Sequence, residues 1–89
     1  MSLRVSRADA LGRGVVRVEL VGKVAGVTIG VIAIVNHPEP EVGLPRPWAF
    51  PIVAVDPQGR MQRLVPEDRS ELDALLTDAY YNVTEALDA

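Results

Sequence analysis

A strand is predicted where apolar and charged residues alternate between Val15 and Val21. The apolar side chains at even positions point to one side of an extended chain, and Arg17 and Glu19 point to the other. One face of this strand is therefore covered and the other is at least partly in contact with water.

The following apolar run, Val24 to Val35, differs because both of its faces are apolar. β-branched side chains dominate the run, which favours a strand over a helix of the same length. One face carries valines, Ile29 and an alanine, while the other carries Ile32 and Ile34. Apolar residues on both faces are typical of a central strand. Each face of this strand therefore needs a cover.

Residues 52–65 have the pattern of a β-hairpin. Ile52–Val55 is rich in strand-forming residues, and it is followed by Asp56-Pro57-Gln58-Gly59. In this turn, proline presets the first corner, Asp56 can accept a hydrogen bond, and glycine tolerates a positive φ. Residues 60–65 then alternate again, so we expect them to form the return strand.

The C-terminal segment predicts an amphipathic helix, because apolar residues recur at helical spacing along one face. These residues are Leu72, Leu75, Leu76, Ala79, Tyr80, Val83 and Leu87. Pro66 suits the first helical turn, and Ser70 is the alternative start. The pattern places Tyr80 in the core and Tyr81 beside the apolar stripe, at the surface or in a contact.

Two segments have no clear periodicity. Residues 1–13 fit a short edge strand, a single helical turn or a frayed arm. Residues 36–51 contain five of the seven prolines of the chain, which predicts a long and stiff connection. We therefore expect a single α+β domain over residues 1–89. It has a four-stranded antiparallel β-sheet with the amphipathic helix packed on one face, and an N-terminal fifth strand is the alternative.

The composition narrows the classes of function. The chain has 89 residues, no cysteine and a single histidine, His37. A domain of this size has a thin core, and the lack of cysteine excludes disulfides, thiol catalysis and iron–sulfur clusters. The 12-residue apolar run is too short to cross a bilayer, and no signal-peptide cleavage pattern follows it. We therefore expect a cytoplasmic protein without membrane contact.

Polar residues in the proline-rich segment are the candidates for chemistry. His37, Glu39 and Glu41, together with Arg46, could line a ligand or active site between subunits. A metal site needs three or four convergent ligands, and nothing in this spacing requires such convergence. We predict no catalytic residue, no metal and no cofactor, and keep a small enzyme or ligand-binding domain as the alternative.

Nucleic-acid binding is a weaker alternative. Arg4, Arg7 and Arg13 could contact phosphates, but the net charge is −3 and the chain has only four aromatic residues. A general nucleic-acid surface would be basic, and a single-strand platform would need more stacking side chains.

The uncovered second face of the apolar strand points to self-association. A single helix covers one face of a sheet, which leaves Ile32 and Ile34 exposed unless the proline-rich segment, residues 1–13 or a second copy packs on them. A closed two-fold dimer is the commonest way to bury such a patch. Prolines present Trp48 and Arg46 rigidly, as in binding hot spots, and the alternative for Trp48 is a buried position in the small core. Tyr81 lies beside the helix stripe. The sequence therefore predicts a non-catalytic homodimeric interaction module, with room for an unknown protein partner.

Overall fold

A computed structural model describes residues 2–88, and the side chains of residues 2–87. Its elements are β1 (Ser2–Gly12), β2 (Val15–Val24), β3 (Val27–Asn36), a short 3₁₀ helix (Pro40–Val42), β4 (Trp48–Val55) and α1 (Pro66–Asp88). The strands form one antiparallel sheet in the order β1-β2-β3-β4, and α1 contacts every strand. The α+β architecture predicted from the sequence, a four-stranded sheet with a C-terminal helix on one face, is confirmed.

A tight turn joins the two central strands. β2 and β3 pair without interruption from Val15 opposite Asn36 to Val24 opposite Val27. Ala25 and Gly26 connect them with φ values of 52° and 79°. Two successive positive φ values are typical of the two-residue hairpin turn whose twist matches that of its strands. The turn therefore fixes the register, and with it the face on which each side chain lies.

The fourth strand lies at the N-terminus, not at residues 60–65. Residues 2–12 form β1 at the edge of the sheet, in place of the helical turn or frayed arm. The predicted return strand at 60–65 is wrong: this segment makes an isolated bridge between Val55 and Met61 and two backbone hydrogen bonds, from Asp56 N to Arg60 O (2.9 Å) and from Gln62 N to Ala54 O (2.8 Å), but no continuous ladder. The chain leaves the edge of β4 here because it must reach the helix layer, where α1 begins at Pro66.

The proline-rich connection is also shorter than expected. Trp48 already pairs with Asn36, and Ala49 with Val35, so the irregular segment spans residues 37–47. The first residues after Pro47 extend β4 because their backbone can complete the ladder at the end of β3.

The core lies between α1 and one side of the sheet, which we call the inner face. Its buried residues are Val16, Val18, Leu20, Ile29, Val31, Ala33, Val35, Ala54, Leu72, Leu76, Ala79 and Tyr80. The predicted core position of Tyr80 is confirmed. Leu87 departs from the predicted stripe, because it is 67% exposed beyond the end of this contact. No helix within residues 2–88 has the length and apolarity needed to cross a membrane.

Candidate functional site

The side of the sheet opposite α1, which we call the outer face, carries two parallel rows of side chains. The register aligns one row across the strands: Arg7, Glu19, Ile32 and Val53. The second row is Asp9, Arg17, Ile34 and Phe50. Phe50 belongs to it because Phe50 and Pro51 together lie opposite Ile34, where the β3–β4 register shifts. We call these the Arg7 row and the Asp9 row.

The half of the outer face on β3 and β4 is apolar and exposed. Ile32 is 39% exposed, Val53 36% and Phe50 73%, while Ile34 is half-buried. α1, the one α-helix among residues 2–88, packs on the inner face. The second apolar face of β3 is therefore an exposed patch that the described part of the chain leaves open to water.

The other half of the outer face, on β1 and β2, is a checkerboard of charges. Arg7 lies opposite Glu19, and Asp9 opposite Arg17. Ion pairs also run along each strand, from Arg7 to Asp9 and from Arg17 Nη1 to Glu19 Oε2 (2.8 Å). Each charge thus has an opposite charge both beside it and across from it, an arrangement that favours the native register over a slipped one.

Three of the predicted contact residues lie elsewhere, in a groove of about 890 Å³ between the start of β4 and α1. Arg46, Trp48 and Tyr81 all line it, together with Ser70 and Asp73. The predicted contact set is therefore divided, with Ile32 and Ile34 on the outer face and these three in the groove. A contact of the groove with a partner stays a prediction.

Trp48 is half-buried at the edge of this groove, so it is neither a fully buried core residue nor a fully presented one. Its indole Nε1 is shielded from water and has no hydrogen-bond partner among the described residues. A buried donor without a partner costs about 1–3 kcal/mol of stability. The neighbouring Tyr81 is 41% exposed, and its ring meets that of Tyr80 edge to face at 5.4 Å.

The polar residues of the proline-rich segment do not converge on that groove. His37 is exposed and lies against the turn at Gly14, where an added Cβ would be 2.9 Å from His37 Cβ. Glu39 braces its loop through two backbone hydrogen bonds with Leu44 (2.7 and 3.0 Å), and Glu41 is exposed. Only Arg46 of the predicted ligand set lines the groove. Within residues 2–88 no cluster of three or more histidine and acidic side chains is arranged to hold a metal ion.

Asp56 is the one buried charged side chain among the described residues. Its carboxylate accepts hydrogen bonds from the backbone N–H groups of Gln58 (3.0 Å) and Arg60 (2.9 Å), from Arg60 Nε (2.9 Å) and from Gln62 Nε2 (3.1 Å). Burial acts to raise the pKa of this carboxyl, but the hydrogen bonds and the Arg60 charge outweigh burial, so the pKa is lowered. The predicted structural role of Asp56 in the turn is confirmed.

Sequence reasoning missed four members of the two rows: Arg7 and Asp9 as a paired unit, and Val53 and Phe50 as part of the apolar patch. Alternation along β4 could have identified Val53, because Ile52 and Ala54 on either side of it face the core. Nothing in the sequence indicated the register shift that brings Phe50 opposite Ile34.

Comparison of the chain with models of known protein families, with curated proteins and with solved structures gives no match.

Proposed function

We propose that this protein is a non-catalytic interaction module that forms a homodimer by packing the outer faces of two sheets together. The observation that carries the proposal is the open apolar patch formed by Ile32, Val53 and Phe50. Contiguous exposed apolar surface of this kind is typical of interaction sites. The chain has no cysteine and so needs no oxidising compartment for disulfides, and the proposal keeps the cytoplasm as the location of the module.

The two rows favour a second copy as the occupant of this face. A two-fold axis that runs across the strands between the rows stacks the Arg7 row of one copy on the Asp9 row of the other. Arg7 then meets Asp9, Glu19 meets Arg17, Ile32 meets Ile34, and Val53 meets Phe50. An isologous contact repeats each of these pairings twice. Charge complementarity and apolar burial are therefore satisfied by the same operation.

The alternative axis, parallel to the strands, does not bring opposite charges together. It would place the charged half of one sheet on the apolar half of the other. Charges such as Arg17 and Glu19 would lose contact with water without gaining an opposite charge, which is costly. The arrangement of charges thus supports the axis across the strands over the axis parallel to them.

The area of the face is close to that of a standard interface. Four strands of about ten residues cover roughly 33 by 19 Å, or about 600 Å² before the side-chain relief is counted. A standard interface buries about 800 Å² on each partner, so the whole face would take part.

The test is the mass in solution, measured by sedimentation over a range of concentrations, for the wild type and Ile32→Glu. We expect Ile32→Glu to halve the mass of the assembly, because a carboxylate would be buried against Ile34 of the other copy. The matched control is Val42→Glu, which changes a 64% exposed valine in the 3₁₀ helix, away from the sheet. This control should leave the mass unchanged.

A second variant covers the case in which Ile32→Glu does not fold. Phe50 is 73% exposed, so Phe50→Glu should leave the single chain intact while it disrupts the same contact. Far-UV circular dichroism reports folding in each case. A folded variant of either kind with wild-type mass and stability would refute the proposal.

A further inference from the structure

The two edges of the sheet are protected very differently. β4 contains Pro51 and follows Pro45 and Pro47, and proline removes backbone donors that a neighbouring strand would need. β1, at the other edge, has 11 residues and no proline. Its outward backbone groups form a template on which another strand can pair.

We propose that β1 pairs antiparallel with β1 of a second copy, with the two-fold axis at Ala8. Between its two register shifts, β1 is regular from Arg7 to Ala10, with Arg7 and Asp9 on the outer face and Ala8 on the inner face. Opposed residues of a continuous sheet share a face. Within this regular segment, Arg7 of one copy can therefore lie opposite Arg7 or Asp9 of the other, but not opposite Ala8 or Ala10.

Charge selects one of these registers. With the axis at Ala8, Arg7 lies opposite Asp9 of the other copy, twice. Moving the axis by one residue towards the N-terminus places Arg7 opposite Arg7, and moving it by one residue towards the C-terminus places Asp9 opposite Asp9. Like charges directly opposite each other destabilise a strand pair. The neighbouring registers are therefore disfavoured by the same two residues that favour the proposed one.

Exposed apolar residues flank the regular part of β1. Val5 is 37% exposed and Leu11 58% exposed, and each lies at one of the two register shifts. A second copy at this edge would cover part of this apolar surface. Leu11 also lines a groove with Leu87 of α1, which extends the apolar surface at this end of β1.

This edge contact is distinct from the packing of outer faces and does not rest on it. Its axis is perpendicular to the sheet, whereas the axis of face packing lies parallel to the sheet. Ala8 aligns across the strands with Val18, Ala33 and Ile52, and the face axis runs along this line between the two rows. The two axes therefore meet at the Ala8 edge, and both contacts together form a closed assembly of four chains.

The absence of cysteine from the chain allows a direct test with Ala8→Cys. Opposed Cα atoms in an antiparallel pair are about 4.5–5.5 Å apart, within the range that a disulfide bridges. Under mild oxidation we expect a covalent dimer to form roughly 100-fold faster than with Ala10→Cys, because pairing raises the effective thiol concentration from about ten micromolar to about one millimolar. Ala10→Cys is the matched control, because its partner position in this register is Ser6 and the two thiols would be more than about 13 Å apart.

A second measurement uses the outer face, where substitution does not affect the core. Arg7→Cys and Asp9→Cys chains, both carrying Phe50→Glu to remove the face contact that also brings Arg7 to Asp9, are mixed and oxidised. We expect the mixed dimer to exceed both homodimers. The proposal would be overturned if folded Ala8→Cys formed the covalent dimer no faster than Ala10→Cys. If Ala8→Cys does not fold, the proposal would be overturned by a statistical ratio of mixed dimer to homodimers in this second measurement. Repeating the Ala8→Cys reaction in Ile32→Glu separates the two contacts: unchanged linking there supports the edge contact even if the face contact is absent.

Discussion

The inner and outer faces of the sheet are built from the same strands but have opposite environments. Val31 and Ile32 are neighbours in β3 and both are β-branched, yet Val31 is 1% exposed and Ile32 is 39% exposed. The difference comes from α1, which lies over Val31 and on the other side of the sheet from Ile32. Residue type alone therefore does not decide burial in this protein. What packs on each face decides it.

The largest expected effect comes from removing a side chain on the covered side. Leu72 is fully buried between α1 and the inner face, so Leu72→Ala leaves a cavity and should lower the free energy of unfolding by about 2–5 kcal/mol. Ile32→Ala should cost about 1 kcal/mol in the single chain, because its surroundings are already partly water. Urea unfolding at low protein concentration measures both. Equal costs would show that the two faces are equally packed.

A smaller effect is expected for Asp56, because its buried side chain is stabilised by hydrogen bonds and not by apolar packing. Asn at this position keeps the size but replaces one acceptor oxygen by a donor, so Asp56→Asn should lower the melting temperature at neutral pH by less than Leu72→Ala does. Because folding lowers the pKa of Asp56 below its ordinary value of 3.8, its stabilisation is present above that pH. The stabilisation is lost as the pH falls through the folded value.

The measurement for Asp56 is the melting temperature as a function of pH. The wild type and Asp56→Asn should differ most at neutral pH and converge in acid. A constant difference between the two proteins at all pH values would contradict the ionised, hydrogen-bonded state of Asp56.

The smallest expected effect comes from the charged half of the outer face. Arg17 and Glu19 form a half-exposed ion pair, and such pairs contribute about 0.2–1 kcal/mol. Arg17→Met should therefore change the stability of the single chain by no more than this, and less at high salt. If the faces pack as proposed, the same variant weakens the assembly more than the chain, because Glu19 of the other copy loses its partner. Sedimentation at low and high salt separates the two effects.

The elements predicted well from the sequence are those whose signal lies in local spacing. The helical period of Leu72, Leu76 and Tyr80 and the two apolar faces of β3 needed no knowledge of the rest of the chain. Residues 60–65 had an equally good alternating pattern but form no strand. Alternation shows that a segment can be extended, but not whether a neighbouring strand offers hydrogen bonds to it.

The candidate site shows the same difference between features that local spacing predicts and features that depend on strand pairing. Ile32 and Ile34 were found because apolar residues on both sides of one strand are unusual, which is a property of the sequence. Arg7 and Phe50 were missed because they join the outer face through strand pairing and a register shift. Arg46, Trp48 and Tyr81 are up to 35 positions apart in the sequence, and only the crossing of α1 near β4 brings them to one groove.

The sequence by itself determined the helix, the central strands and the presence of a second apolar face, because periodicity and side-chain shape act over a few residues. Only the tertiary structure decided which segment became the fourth strand and how Arg7, Asp9, Arg17 and Glu19 form a checkerboard. Those outcomes depend on pairing between segments distant in the chain, where a shift of one residue moves every side chain to the opposite face.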